Sequence, residues 1–292
     1  MLARILGIIL PVFSIIALGW LYARRVKPDM HVVNRISMSV LAPALVFSAL
    51  ASREFDVVAN RMLIVGSVGV VLGSGLIAWP FARLMHASVR TFVPPMMFNN
   101  CGNMGLPLAV LAFGAAGFSP MVALFTISNL LHFTLGVWII DHRARFVNLL
   151  RNPIVVSTVL GFAFALTHPP LPEWLSVAIK LLGDALIPMM LLSLGVRLYE
   201  VSFDDWRIGV VGGLVCPLTG LAIAALLASL LGLDPVQQGL LILFGSLPPA
   251  VLNFIVAEQF RQEPGKVASI VLIGNLMSVV FVPLGLVIAL RG

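Results

Sequence analysis

The chain has 292 residues, of which 60% are apolar and 10% are charged, and its mean hydropathy is +1.07. Because charged residues make up about a quarter of an average soluble protein, this composition excludes a soluble domain and predicts an integral membrane protein. The net charge of +6 comes from basic residues in short segments between apolar runs, which favours a role in membrane topology over nucleic-acid binding. Cys101 and Cys216 lie far apart inside apolar runs, so neither a disulfide framework nor a metal or cofactor site is predicted.

Apolar runs bounded by charged residues, proline or glycine predict an all-α membrane protein with ten spans. The first run ends in a basic cluster without a small-residue cleavage site, so we expect it to be retained as a span and not removed as a signal peptide. The predicted spans are residues 4–23, 33–52, 61–83, 89–113, 120–141, 152–168, 174–197, 207–231, 236–260 and 265–290.

The fourth predicted span carries polar and helix-breaking residues at its centre. Residues 94–107 read PPMMFNNCGNMGLP and contain three asparagines, two glycines and three prolines. Proline removes a backbone donor and glycine weakens helical geometry. Unwound backbone at membrane depth is tolerated only where it lines an enclosed or watery cavity, so we predict a broken helix and a substrate site here. A kinked helix with a purely structural role is the alternative. The predicted site residues are Asn99, Asn100, Gly102, Asn103 and Gly105.

The second half of the chain repeats features of the first at an offset of 145 or 146 residues. The matched pairs include Pro43 with Pro188, Phe98 with Phe244, and Asn129 with Asn275. Five spans per repeat is an odd number, so the two halves must enter the membrane from opposite sides. We therefore predict two inverted repeats of five helices, residues 1–146 with crossing helix 89–113 and residues 147–292 with crossing helix 236–260.

The same register predicts a second broken helix in the ninth span. It aligns the first break with FGSLPPAVLNF, which contains Pro248, Pro249 and Asn253. Two broken helices that cross near mid-membrane present half-helix amino termini, which carry partial positive charge and suit a carboxylate. A small organic anion is therefore the predicted substrate.

The distribution of basic residues predicts the orientation. Segments after the odd-numbered spans carry twelve Lys and Arg residues, whereas the opposite side carries four. The positive-inside rule then places both termini on the non-cytoplasmic side of the cell membrane.

Three stretches resemble the auxin efflux carrier family, in particular its small prokaryotic members, which are bile-acid-carrier-like inverted-repeat transporters. They are NNCGNMGLPL in span four, ALIPMMLLSLGVRL in span seven and GSLPPAVLNFIVAEQF in span nine. The resemblance implies scaffold and transport helix groups, elevator-type alternating access, and carboxylate substrates such as malonate or malate. It also implies that Asn100 contacts the substrate carboxylate and that Pro107 is a crossing proline. Where plant members have the second proline this chain has Asn253, so the crossing role passes to Pro248 and Pro249.

Two ionisable features inside predicted spans invite a functional interpretation. Asp184 is the only carboxylate well inside a span, and Lys180 lies one turn earlier on the same face. The pair could couple transport to a proton or sodium ion, or it could be a structural ion pair that holds span seven to a neighbour. His132 is predicted to be a core histidine whose hydrogen bonds are satisfied.

The sequence therefore predicts a secondary active transporter of mono- or dicarboxylates. An enzyme is not expected, because paired aspartates and Ser/His couples for intramembrane catalysis do not appear. An anion channel or facilitator that uses the same crossed-helix site remains the alternative. A proton or sodium ion is the expected coupling partner, and a homodimer is left open.

Overall fold

The computed structural model of the protein describes residues 2–26, 28–52, 55–142, 152–167, 169–199 and 204–291. Every regular element in these ranges is helical, and the only β-type contact among them is an isolated antiparallel bridge. The α-helices are α1 (Leu2–Val26), α2 (Met30–Ile36), α3 (Ala42–Leu50), α4 (Arg61–Leu84), α5 (Val89–Met97), α6 (Leu106–Phe113), α7 (Ala115–Leu131), α8 (Val137–Ile140), α9 (Pro153–Thr167), α10 (Glu173–Tyr199), α11 (Trp206–Leu230), α12 (Pro235–Ser246), α13 (Leu252–Gln259) and α14 (Pro264–Ala289). Three π-helical turns, Ser37–Leu41, Cys101–Gly105 and His132–Gly136, join α2 to α3, precede α6, and join α7 to α8.

Seven helical stretches in the described residues are long and apolar enough to cross a membrane. Large apolar side chains such as Leu76, Leu84 and Trp174 lie exposed on the outer surface, as expected for a lipid-facing surface. The prediction of an all-α, multi-pass membrane protein is therefore confirmed. Three of the ten predicted spans are not long continuous helices, because 89–113 and 236–260 are broken and α9 has 15 residues. Ten spans in two inverted repeats stay a prediction.

Proline alone does not break these helices. Six helices continue through an internal proline, namely Pro11, Pro80, Pro120, Pro188, Pro217 and Pro283. Pro94 and Pro95 likewise lie within α5. A helix in an apolar environment retains its remaining hydrogen bonds even where one is lost, so a break needs further polar or glycine residues nearby.

Close backbone contacts hold the helices in two groups. One group packs α1, α3, α9 and α10 together, and the other packs α4, α5, α11, α12 and α14. A Cβ atom at Gly195 of α10 would collide with the carbonyl of Ile16 in α1, and Gly220 of α11 and Gly245 of α12 meet backbone to backbone. Small residues at such contacts are typical of membrane helix packing.

A polar cluster joins the start of α5 to the start of α14. Thr91 Oγ1 donates to Glu263 Oε2, Lys266 Nζ pairs with Glu263 Oε1, and Gln262 Nε2 donates to Thr91 Oγ1 at 3.0 Å. The hydrogen bonds from Lys266 and Thr91 lower the pKa of Glu263 below its ordinary value. The carboxylate therefore stabilises the fold in its ionised form.

We expect Glu263→Gln to lower the melting temperature at pH 7 by roughly 2 °C, since a partly exposed ion pair contributes at most about 1 kcal/mol. Because the folded-state pKa is depressed, this contribution is present above the unfolded pKa of about 4.3 and is lost as the pH falls through the folded value. The melting temperatures of variant and wild type should thus converge below about pH 4. Asp184→Asn is the control, since its exposed ion pair lies within one helix. A gap that persists at low pH would contradict this account.

Candidate functional site

The first break separates α5 from α6. Helix α5 ends at Met97, Phe98 is extended with φ −109° and ψ 101°, and the chain resumes helical geometry only at Cys101. The break thus follows Pro94 and Pro95 by several residues and coincides with Asn99 and Asn100. Pro107 is the second residue of α6 and follows directly on the π-helical turn Cys101–Gly105.

The second break separates α12 from α13 and contains the two prolines. Helix α12 ends at Ser246, Leu247 is extended with φ −70° and ψ 147°, and α13 begins at Leu252. Pro248 and Pro249 have no N–H to offer, so their carbonyl groups are the polar atoms that require partners.

The two breaks pair with each other as short antiparallel strands. Asn99 and Pro249 form an antiparallel bridge. Asn100 donates its backbone N–H to Pro248 O at 2.7 Å, and Ala250 donates to Phe98 O at 2.9 Å. The structure thus brings the predicted residues of the fourth and ninth spans into direct contact, although they are about 150 positions apart in the sequence.

Side-chain amides satisfy further carbonyl groups at this contact. Asn99 Nδ2 donates to Phe244 O at 2.5 Å, and Asn253 Nδ2 donates to both Phe98 O and Ala250 O at 2.9 Å. Each amide oxygen remains without a partner among the described residues. These two asparagines therefore stabilise the breaks with their donors and leave buried acceptors.

Asn275 of α14 is a site residue that the sequence analysis noted only as a repeat match. Its Oδ1 accepts from Asn100 Nδ2 at 2.7 Å, and its Nδ2 donates to Pro249 O at 2.9 Å. One side chain thus bridges both breaks. The match of Asn129 with Asn275 was the signal that could have assigned it this role.

A cavity of about 60 Å³ lies beside the paired breaks. Its lining includes the amino-terminal ends of both second half-helices, at Cys101–Asn103 and at Ala250–Leu252. Asn103 lines the cavity, and its side chain forms no hydrogen bond within the described part of the chain. Drug-sized ligands occupy pockets of about 300–1,000 Å³, so this cavity suits a much smaller molecule.

Two of the predicted glycines provide close packing at the cavity. A Cβ atom at Gly102 would lie 2.7 Å from the Phe125 ring and 3.5 Å from Met190 Cε, and one at Gly105 would lie 2.7 Å from Met121 Cε. Glycine at these positions lets the half-helix approach α7 and α10 closely.

Arg197 of α10 lines the same cavity and was counted in the sequence only as a topological charge. Met190, Ser193 and Arg197 lie on one face of α10, and the seven helical steps from Met190 to Arg197 span about 10 Å. No carboxylate occurs among the described residues that line the cavity. The helical spacing between Ser193 and Arg197 was the signal in the sequence that could have placed Arg197 on the same face as the cavity.

The cavity continues into a wider vestibule of about 510 Å³. Asn34, Met38, Arg197, Leu252 and Ile255 line both spaces. Arg35 and Glu258 line the vestibule alone. The guanidinium group of Arg197 therefore lies where the two spaces meet.

The predicted coupling pair lies away from this cavity. Lys180 Nζ and Asp184 Oδ2 are 2.6 Å apart, and their side chains are 66% and 48% exposed on the outer face of α10. The pair therefore forms within one helix and contacts no second helix in the described structure through this bond. Its role in ion coupling stays a prediction.

His132 differs from the expectation of a satisfied core histidine. The residue is 2% exposed and lines the cavity, yet its Nε2 has no hydrogen-bond partner among the described residues. The ring lies against an aromatic side chain, Phe98, with centroids 4.2 Å apart and planes at 4°. Packing, and not hydrogen bonding, holds the imidazole in place.

Comparison with known proteins identifies a transport family. The profile of the family described as membrane transport protein matches residues 4–149 and, separately, residues 144–286. The "Putative malonate transporter" of Rhizobium meliloti is 28% identical over 310 residues, covering 95% of this chain and 93% of that protein. An "Uncharacterized transporter" of Methanothermobacter thermautotrophicus is 24% identical over 302 residues, covering 96% and 93%. Auxin efflux carrier component 3 of Arabidopsis thaliana is 27% identical over 137 residues, covering 44% and 21%.

The profile matches extend over almost the whole chain, and the relatives include an auxin efflux carrier component. The resemblance drawn from the three stretches in spans four, seven and nine is therefore confirmed. The chain belongs to the membrane transport protein family, the family of the auxin efflux carriers and malonate transporters.

Proposed function

We propose that the protein is a secondary active transporter of small organic anions, with the cavity beside the paired breaks as its substrate site. The observation that carries the proposal is the meeting of two half-helix amino termini at one cavity. Arg197 lines it, two half-helix amino termini end at it, and no carboxylate is among its described lining residues. Helix amino termini carry partial positive charge, so all of these features favour an anion.

Cavity size and the name of one relative support a proposal for the class of anion. A cavity of about 60 Å³ suits a molecule of a few carbon atoms, and a relative of similar length carries the name of a malonate transporter. We propose mono- or dicarboxylates such as malonate or malate. One carboxylate would accept hydrogen bonds from Asn103 and from the backbone amide of Gly102, and it would be attracted by Arg197.

The proposed architecture is ten spans in two inverted repeats that cross at the breaks. Two separate matches of one family profile, to the first and second halves of the chain, support this arrangement. The helix group of α1, α3, α9 and α10 would be the scaffold, and the group that includes both broken helices would move as an elevator. Pro107, Pro248 and Pro249 would serve as the crossing prolines.

The proposed orientation places both termini on the non-cytoplasmic side of the cell membrane. The vestibule opens between the end of α2, the start of α9 and the ends of α10 and α13, as its lining residues Arg35, Asn152, Arg197 and Glu258 indicate. These ends belong to the side that carries most basic residues. The structure would then represent a state open to the cytoplasm.

Counterflow distinguishes a carrier from a channel. Proteoliposomes that contain unlabelled malonate should take up labelled malonate in a saturable manner, because each transport cycle exchanges one bound anion. Arg197→Gln should raise the KM at least tenfold, since a hydrogen bond to a charged group is worth about 1.5–3 kcal/mol.

Arg207→Gln is the matched control, because its guanidinium group lies over the Trp206 ring and not at the cavity. Flux that rises linearly with malonate concentration and shows no counterflow would favour the channel alternative.

Asn103→Ala should weaken malonate binding about ten- to hundredfold without lowering the melting temperature. Its side chain has no partner within the described part of the chain, so the variant loses a bond to the ligand alone. Isothermal calorimetry on purified protein measures the change.

Asn100→Ala is the comparison variant. It leaves Asn275 Oδ1 without its donor, so we expect a lower melting temperature together with weaker binding. Unchanged affinity in both variants would place the anion elsewhere.

Cysteine labelling tests the orientation. In a background with Cys101 and Cys216 replaced by alanine, Arg291→Cys should react with a membrane-impermeant maleimide on intact cells. His142→Cys, at the end of α8, should react only after permeabilisation. The reverse pattern would place the termini in the cytoplasm.

A further inference from the structure

His132 is a buried residue beside the cavity whose ring is held by packing and whose Nε2 has no hydrogen-bond partner among the described residues. It opens the π-helical turn at the end of α7, lines the cavity, and is 2% exposed. A buried polar atom without a partner can accept a proton or a hydrogen bond from a ligand.

The contacts of the imidazole fix it against the first break. Its ring stacks on Phe98 at 4.2 Å, and Phe98 is the residue whose carbonyl accepts from Ala250 and Asn253. A Cβ atom at Gly136 would lie 2.6 Å from the Phe98 ring and 2.9 Å from His132 Cδ2. Glycine at position 136 leaves room for the stacked pair. A movement of Phe98 in the first break would therefore displace the His132 ring.

The charged and titratable groups around His132 are few. Arg197 and Cys101 line the same cavity, Arg35 and Glu258 line only the vestibule, and Asp184 with Lys180 lies on the outer face of α10. No carboxylate faces the histidine from the described lining of the cavity. Among these groups, histidine is the type whose charge ordinarily changes between about pH 5 and 8.

We propose that His132 is the proton-coupling residue of this transporter, and that Nε2 takes up a proton when an anion enters the cavity. The proposal rests on the proposed function. It adds the identity of the coupling ion and of the residue that binds it. The proton comes from water in the vestibule and forms an N–H bond at Nε2. It leaves to water on the opposite side after the anion does.

The physical basis is reciprocal linkage between the two ligands. An anion beside the ring stabilises the imidazolium, and the imidazolium in turn attracts the anion and donates a hydrogen bond to it. Binding of anion and proton is then cooperative by thermodynamic necessity. Arg197 holds a fixed positive charge and cannot supply this pH dependence, because a guanidinium group does not deprotonate in proteins.

Calorimetry of malonate binding to purified protein in two buffers of different ionisation enthalpy measures proton uptake directly. Between about pH 6.5 and 8.5 free malonate is mainly ionised at both carboxyls, so comparison with His132→Gln assigns the uptake to the protein or to the bound ligand. We expect up to one proton taken up per malonate and an affinity that rises up to about tenfold for each unit of pH decrease. In His132→Gln, which retains a polar amide but cannot titrate, both effects should disappear.

His142→Gln is the matched control, because this histidine lies outside the cavity, beside Trp138. Proton uptake should also persist in Glu258→Gln and Asp184→Asn. Loss of uptake in either of these two variants, with retention in His132→Gln, would assign the proton to that carboxylate instead.

The wild-type measurement keeps the proposal testable if His132→Gln does not fold. Binding of malonate without proton uptake in the wild type would overturn the role of His132 and leave the anion site intact. If neither malonate nor acetate nor malate binds at any pH, the proposed function fails, and the role of His132 fails with it.

Discussion

The backbone contact between the two breaks is the interaction on which the rest of the site depends. Membrane interiors supply no water to an unwound segment, so each break must satisfy the other. The prolines of the second break remove two N–H donors and leave carbonyl acceptors, whereas the first break supplies amide donors. Asn100 N–H donates to Pro248 O, and Asn275, held by Asn100, donates to Pro249 O. A proline-rich segment and an asparagine-rich segment are thus chemically complementary.

This use of the asparagines determines where the positive potential of the site comes from. Asn99 and Asn253 use their amide hydrogens on backbone carbonyls and leave unpaired oxygens, which repel an anion. An unpaired buried acceptor costs about 1–3 kcal/mol, and the close packing of the breaks has to offset that cost. Attraction for an anion therefore comes from Arg197 and the half-helix amino termini, while the side-chain amide of Asn103 is available to donate.

Sequence could predict the breaks but not the surroundings of the cavity. The breaks are local features, because Asn99, Gly102 and the Pro248–Pro249 pair lie within a few residues of them and predict them. Whether Arg197 or Asp184 faces the cavity depends on the rotation of α10 against its neighbours. Because α10 is apolar on most of its surface, the pattern along one helix does not show which side is buried. Asp184 proved to be exposed on the outer face, whereas Arg197, regarded as a loop charge, lines the cavity.

The kinds of contact within and between the helix groups bear on how an elevator could move. Within each group, helices touch backbone to backbone, as at Gly195 with Ile16 and at Gly220 with Gly245, and such contacts have no tolerance for sliding. Between the groups, at the cavity, a flexible side chain from α10, Met190, meets Gly102. Methionine adapts to displacement at low cost because its three rotatable bonds let it repack. The rigid contacts thus define the bodies that would move, and the adaptable contact lies beside the site that movement would expose.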